Sequence, residues 1–415
     1  APPSHGGGRW FESTSAHQLS HPILSSRLRT IGVASLIAAV GFAVYAAASG
    51  TALPSPGELE LLQQAAGLHE GRLRLFFQVA DERWLQPIPV YLTALAALVA
   101  PAGSAARYAT AAAGAIDVAL MFVLAQRLFP RRLIPLGAAL LLLVTPAHYV
   151  HARLGTDAIF VLPFVLTWLI CLADYLRDGR TVSAVAGAFA LGAGVYSQPA
   201  APLTMMFLLV VTLAAMGASA RLTARSAVIS IGAFTVPLLL AAGWFAAHPQ
   251  SYADTFGRWV IHAAHLRFPL DGVRALVNWT TLGTRVSLYW GFFDPSWLFF
   301  DGPAAPQALR GSAPFFLATL VLLVPGVRWT LTHASAGVKA LLLGGVAVSP
   351  LAASTLGEPH AIHSAMTVVP MVLIVATAGV VTALSHGKRV WQALAWLAMA
   401  ACAADFGVFY VSYWG

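Results

Sequence analysis

Runs of about 20 uninterrupted apolar residues recur along almost the whole chain, and each is long enough to cross a bilayer as a helix. In hydrocarbon every backbone N–H and C=O needs an internal partner, so a spanning segment is a helix or part of a closed barrel. A barrel strand is short and alternates apolar with polar residues. Stretches such as "TIGVASLIAAVGFAVYAAA" and "AIFVLPFVLTWLICLADYL" do neither. Only 10% of the 415 residues are charged and 58% are hydrophobic, against roughly 25% charged in a soluble domain. The sequence predicts an all-α polytopic membrane protein.

About eleven spans are expected, at roughly 31–49, 107–128, 133–150, 158–176, 182–197, 201–219, 227–247, 312–327, 338–354, 365–384 and 391–412. Short loops carry the cations: Arg27 and Arg29, Arg127 with Arg131 and Arg132, Arg177 and Arg180, Arg221 and Arg225, Arg328 and Lys339, Lys388 and Arg389. All fall on one side if "PIPVYLTALAALVAP", bounded by prolines, does not cross. This segment is expected as a juxtamembrane or re-entrant helix, and the Lys/Arg side as cytoplasmic. The net charge of +8 is therefore a topology signal, and no nucleic-acid partner is expected. The first 25 residues are polar and aperiodic, so disorder or a misassigned start is expected there. Residues 26–415 read as a single membrane domain. Its long outward loops cover about 50–106 and 248–311, and loops of that length usually carry function. Cys171 and Cys402 both lie in apolar runs, which argues against a structural disulfide.

Charged outward residues fall in four clusters. "PSPGELELLQQAAGLHEG" carries Glu58, Glu60 and Glu70. "FFQVADERWLQPIPVY" carries Asp81, Glu82 and Arg83. "HARLGTD" carries His151, Arg153 and Asp157, and "LGEPHAIHS" carries Glu358, His360 and His363. Ionisable groups at a membrane edge are costly unless paired or wet, so four clusters on one face suggest a shared polar cavity. Solvated loop residues, a snorkelling Arg153 and an N-capping Asp157 are the bland alternatives. His360 and His363 are too few to define a metal site. Asp117, inside a span, would suit a proton relay in a transporter or a bond to a neighbouring helix. No P-loop, GxSxG, HExxH or CxxC pattern occurs.

Five stretches in order resemble the polyprenyl-phosphate-dependent GT-C glycosyltransferases, the group of the protein O-mannosyltransferases and lipid A aminoarabinose transferases. They are "QPIPVYLTALAALVAPAGSAARYATAAAGAIDVALMFVLAQRLFP", "TPAHYVHARLGTDAIFVLPFVLTWLICLADYLRDGR", "AGAFALGAGVYSQPAAP", "YWGFFDPSWLFFDG" and "EPHAIHSAMTVVP". In the last, His363 stands where the family usually has Arg. The resemblance implies a GT-C-like bundle with juxtamembrane helices in the first outward loop. It implies a multi-pass protein of the bacterial cytoplasmic membrane with an outward-facing site. The donor would be a polyprenyl-phosphate-linked sugar, such as an undecaprenyl-phosphate sugar, and the acceptor a hydroxyl of a protein, lipid or glycan.

The family usually carries an Asp-Glu pair at the start of the first outward loop, where this sequence has Gly57-Glu58. Glu58 or Glu60 is then expected to act as the base, with Asp157 as its partner. Glu58 and Asp157 would hold a divalent cation, Mg²⁺ or Mn²⁺, if one is used. Arg153, Arg83 and His360 are expected at the donor phosphate. His151, Asp81, Glu82, Tyr91, Glu358 and His363 are expected along the cavity. The missing acid keeps a second expectation open, a degenerate relative that binds the lipid without transfer; a transporter or flippase is the third.

Overall fold

The computed structural model describes residues 21–47, 54–79, 83–129, 131, 133–251, 254, 279–300, 312–357 and 359–414. The architecture is helical. The first half runs α1 (His21–Ala46), α2 (Pro56–His69), α3 (Pro87–Ala96), α4 (Ala105–Leu128), α5 (Ile134–Val144), α6 (Pro146–His151), α7 (Leu162–Asp178), α8 (Thr181–Gly194), α9 (Ala201–Ala218) and α10 (Ala224–Ala247). The second half contributes Trp279–Gly291, Leu317–His333, Ala336–Val348, Val368–Ser385 and Arg389–Trp414, with short helices at Pro295–Phe299 and Leu351–Leu356.

Among the described residues, eight helical stretches are long and apolar enough to cross a membrane. The remaining three expected spans are helical but shorter. Leu317–His333 and Thr181–Gly194 fall in the 10–17-residue class, and the 133–150 run is split into α5 and α6. Pro146 explains the split: it cannot donate to the ladder, and it pushes the preceding Thr145 out of the helical region, to φ −64° and ψ 123°. The segment expected not to cross folds as the ten-residue α3, with Pro87 in its first turn. Two departures are smaller. Helix α1 starts at His21, inside the stretch expected to lack structure; residues 1–20 lie outside the described part. The segment between α2 and α3 also holds a minimal antiparallel ribbon, Phe77–Gln78 against Trp84–Leu85, which a purely helical reading did not foresee.

Local chemistry sets the element ends. Ser55 caps α2 by accepting from the Glu58 amide, with Pro56 in the first turn. Thr223 and Ser226 form a reciprocal capping box on α10. Gly179, at φ +72°, ends α7 in the left-handed conformation.

Packing is sequential at first: α1 lies on α4, α4 on α7, α7 on α8, and α8 on α10. Leu317–His333 then packs along Val368–Ser385. A β-carbon at Gly326 would come within 1.9 Å of the Val375 carbonyl oxygen, and one at Gly379 within 1.9 Å of the Leu322 carbonyl oxygen. Two backbones touch there because neither residue has a side chain, the small-residue seam that drives helix association in lipid. Elsewhere the core is closed by large side chains. Trp168 on α7 is fully buried and donates to Thr212 Oγ1 on α9 at 2.8 Å. The outer face of α1 is largely exposed, as expected of a peripheral span.

Candidate active site

The first turn of α2, the ribbon and the 151–157 loop meet at one end of the bundle. They enclose a cavity of about 190 Å³ lined by Gly57, Glu60, Leu61, Arg83, Trp84, Leu85, Thr156, Asp157 and Pro199. Three of the expected residues, Glu60, Arg83 and Asp157, are therefore brought together. Arg83 forms an ion pair with Glu60. Asp157 opens the 3₁₀ turn Asp157–Val161 as its first residue. The N-cap position is held by Thr156, so Asp157 is not the cap. Gly57 lines the same cavity, and a β-carbon there would meet nothing within 4 Å.

Glu58 sits beside this cavity but is turned into the protein, 1% exposed. Its carboxylate faces Arg107 of α4, which donates through Nε and Nη2 to Oε2 at 3.1 and 3.0 Å and brings Nε within 2.9 Å of Oε1. Burial pushes the Glu58 carboxyl above the usual carboxylate range; the hydrogen bond and charge of Arg107 and the Ser55 contact pull it down without fully offsetting that. The loop closes over it. Gly155 has φ +65°, and a β-carbon there would stand 3.0 Å from the Glu58 carboxyl carbon. Only glycine both adopts that backbone freely and allows this approach. The "LGTD" turn thus fits over Glu58 while presenting Asp157 to the cavity.

Arg153, expected at the donor phosphate, is engaged inside the protein. It is 6% exposed, and its guanidinium caps the end of α1, donating to the carbonyls of Val44 at 3.0 Å and Tyr45 at 2.8 Å, with Ala47 beside them. It also lies over the Tyr149 ring. The physical reason is the set of orphan carbonyls at a helix C-terminus, which a buried guanidinium satisfies.

The other expected residues are distributed more widely. His151 is buried, its Nδ1 2.7 Å from the Ala147 carbonyl. Tyr91 donates to the Arg74 carbonyl and packs edge-on against Phe77. His360 has φ +55° and stacks on Trp297, with ring centroids 4.9 Å apart. His363 is exposed, in the short turn Ile362–Ala365, which packs near Asp157–Val161. Asp81, Glu82 and Glu358 lie outside the described residues. Asp117 is fully buried and meets His148 Nε2 at 3.4 Å; His148 Nδ1 lies 2.9 Å from the Tyr45 hydroxyl. Sequence reasoning missed Arg107 and Gly155. Arg107 could have been found as the cation at the start of the second predicted span, on the side away from the Arg127 cluster, where a charge needs a partner.

Glu58 and Asp157, the pair expected to hold a divalent cation if one is used, are placed in different surroundings, Glu58 against Arg107 and Asp157 in the cavity wall. Among the described residues no three His, Cys, Asp or Glu side chains converge on one point, and Glu58 is engaged by Arg107. Mg²⁺ is commonly held by one or two carboxylates together with waters and substrate phosphates; no step below is routed through a cation.

An apolar groove of about 620 Å³ lies next to the cavity, between α1, α3, α4 and α7, lined by Phe42, Ile88, Leu92, Tyr108, Ile116 and Phe164 among others. Leu85 and Asp157 line the cavity; Ile88 and Phe160, three residues further along, line the groove.

No protein-family model and no curated protein matches the sequence. Solved structures do. The fold is similar to that of ArnT. ArnT from Cupriavidus metallidurans bound to undecaprenyl phosphate aligns with 92% of this chain at a TM-score of 0.50 and 14% identity. The chain spans 64% of the length of that ArnT. The apo form of the same ArnT aligns with 86% of this chain at a TM-score of 0.40 and 14% identity. At this identity the likeness to ArnT is one of fold.

Proposed function

We propose that the protein is a membrane glycosyltransferase that moves a sugar from a polyprenyl-phosphate donor to an acceptor hydroxyl at the outer face of the cytoplasmic membrane. The observation that carries this is the juxtaposition of a small cavity bearing Glu60, Arg83 and Asp157 with an apolar groove that suits an isoprenoid tail. The ArnT-like fold and the five sequence stretches support it, and that ArnT was solved bound to undecaprenyl phosphate.

In this reading Asp157 is the base. The acceptor oxygen attacks the anomeric carbon, its proton passes to the Asp157 carboxylate, and the bond from that carbon to the phosphate oxygen breaks. Polyprenyl phosphate leaves with the bonding pair, and Arg83 pairs with its oxygens. Glu60 holds Arg83 before the donor arrives. Glu58 is a positioning residue, fixing α2 on α4 beneath the site. This reassigns the roles expected for Glu58 and Arg153 to Asp157 and Arg83.

The test is release of polyprenyl phosphate from a labelled polyprenyl-phosphate hexose by the purified protein in nanodiscs, for wild type, Asp157→Asn and Arg83→Gln. Turnover lost in both variants supports the proposal; turnover unaffected by both overturns it. Gly57 and the buried Glu58 together favour one other reading, a relative that binds donor without transferring the sugar. Tight donor binding with no turnover in the wild type would establish that instead.

A further inference from the structure

A second groove opens at the opposite end of the same three helices. It encloses about 860 Å³ between α1, α4 and α7. Its walls are Ile31, Ala34 and Ala38 of α1 and Ile116, Leu120 and Val123 of α4. Its rim carries Gln126, Arg127, Asp174, Arg177 and Arg180. It meets the first groove only at Ile116, which lines both. The chain thus has an apolar trough with a polar, cationic mouth, separate from the candidate active site.

The charges at this mouth are unevenly matched. Asp174 serves Arg127 at 3.5 Å and Arg177 at 2.9 Å, while Asp178 serves Arg177 at 2.8 Å and Arg180 at 3.8 Å. Two carboxylates are shared among three guanidiniums, which leaves one positive charge in excess. Each guanidinium has five N–H donors, so these ion pairs orient the arginines without using up their donors. Arg127, Arg177, Arg180 and the neighbouring Arg29 are all exposed. A phosphodiester fits such a fork through paired N–H···O bonds. Helices α1, α4 and α7 all contribute candidate membrane spans, and basic pockets between spans attract anionic phospholipids.

We propose that this groove binds an anionic phospholipid of the leaflet at the arginine-bearing end, with its acyl chains along α1 and α4 and its phosphate at Arg127 and Arg180. The site stands whether or not the transferase reading holds. A lipid seated there would wedge the peripheral α1 against α7, which α1 otherwise meets through α4.

The experiment is native mass spectrometry of the full chain in detergent, offered equimolar phosphatidylglycerol, phosphatidylcholine and farnesyl phosphate. The wild type is expected to retain phosphatidylglycerol about fivefold over phosphatidylcholine. Arg127→Gln with Arg180→Gln is expected to abolish that preference. The charge-matched pair Arg225→Gln with Arg389→Gln is expected to keep it. Ser35→Trp, which fills the groove from its α1 wall and leaves the arginines in place, is expected to reduce retention by a similar factor. This variant serves if the double arginine change fails to fold. Equal retention of the two phospholipids by the wild type would overturn the proposal. So would equal loss in the two charge-matched doubles, or displacement of phosphatidylglycerol by farnesyl phosphate at the same arginines.

Discussion

Two acidic residues of the same short stretch, "GELE", meet arginines and arrive at opposite fates. Glu58 is buried against Arg107 of α4 under Gly155, while Glu60, two residues on, faces a cavity and pairs with the half-exposed Arg83. Side-chain chemistry is identical at the two positions; the environment divides a buried anchor from a pair that faces a cavity. A buried pair is costly to break because removing one partner strands a desolvated charge. A half-exposed pair can be rearranged cheaply, as the proposed handover of Arg83 to a donor phosphate requires.

The largest expected effect tests the buried pair. Arg107→Met strands Glu58 and is expected to destabilise the protein by about 3–5 kcal/mol, read as a drop in unfolding temperature in detergent. Glu58→Gln added to Arg107→Met should recover much of that loss, because no charge is then left unpaired. If the double variant is no more stable than the single, Glu58 and Arg107 are not coupled and the comparison fails.

Next comes the cavity. On the proposed reading Asp157→Asn lowers turnover by about 10²-fold or more, within the usual range for a general base, with the unfolding temperature nearly unchanged. An equal loss of stability would place Asp157 with the anchors. Gly57→Asp sharpens the same point: the space beside Gly57 is open, so the variant should fold as the wild type does. It should raise turnover if the missing acid limits the rate.

Smaller still is the exposed pair. Glu60→Gln with Arg83→Gln is expected to change stability by less than about 1 kcal/mol, measured in the same melts.

The smallest expected effect is in pH. Burial raises the Glu58 carboxyl in the folded state, so the folded protein holds that proton more tightly than the unfolded chain. The stabilisation this gives is complete below the ordinary carboxylate range and is lost as pH rises through the raised folded value. Glu58→Gln should therefore be compared with the wild type across that window. The wild type should lose stability relative to the variant as pH rises, and a gap that is flat with pH would contradict the raised carboxyl.

The helical content was legible because each apolar run is long and unbroken, and all eleven expected stretches contain helix. Their lengths were less legible. Thr145-Pro146 cut the 133–150 run, a boundary visible in the sequence but outweighed by hydropathy. The candidate site was legible as a set of charged outward clusters, and Glu60, Arg83 and Asp157 do share a cavity. What the sequence hid is which way each side chain turns. Arg153 and Asp157 stand four residues apart in one loop, yet one goes to the carbonyls of α1 and the other to the cavity. That choice depends on α1, more than a hundred residues upstream. Glu58 likewise needed a partner, and the partner came from inside an apolar span.

Arg153 also has a consequence for biogenesis. The last carbonyls of α1 receive their donors from a residue 109 positions after Val44. At the usual pace of translation, about 5–20 residues per second, roughly 5–20 s separate the two. For that interval the first helix stands in the membrane with an unfinished end, borrowing hydrogen bonds from water or lipid headgroups. The loop that carries Asp157 is thus also the latch that completes the first helix.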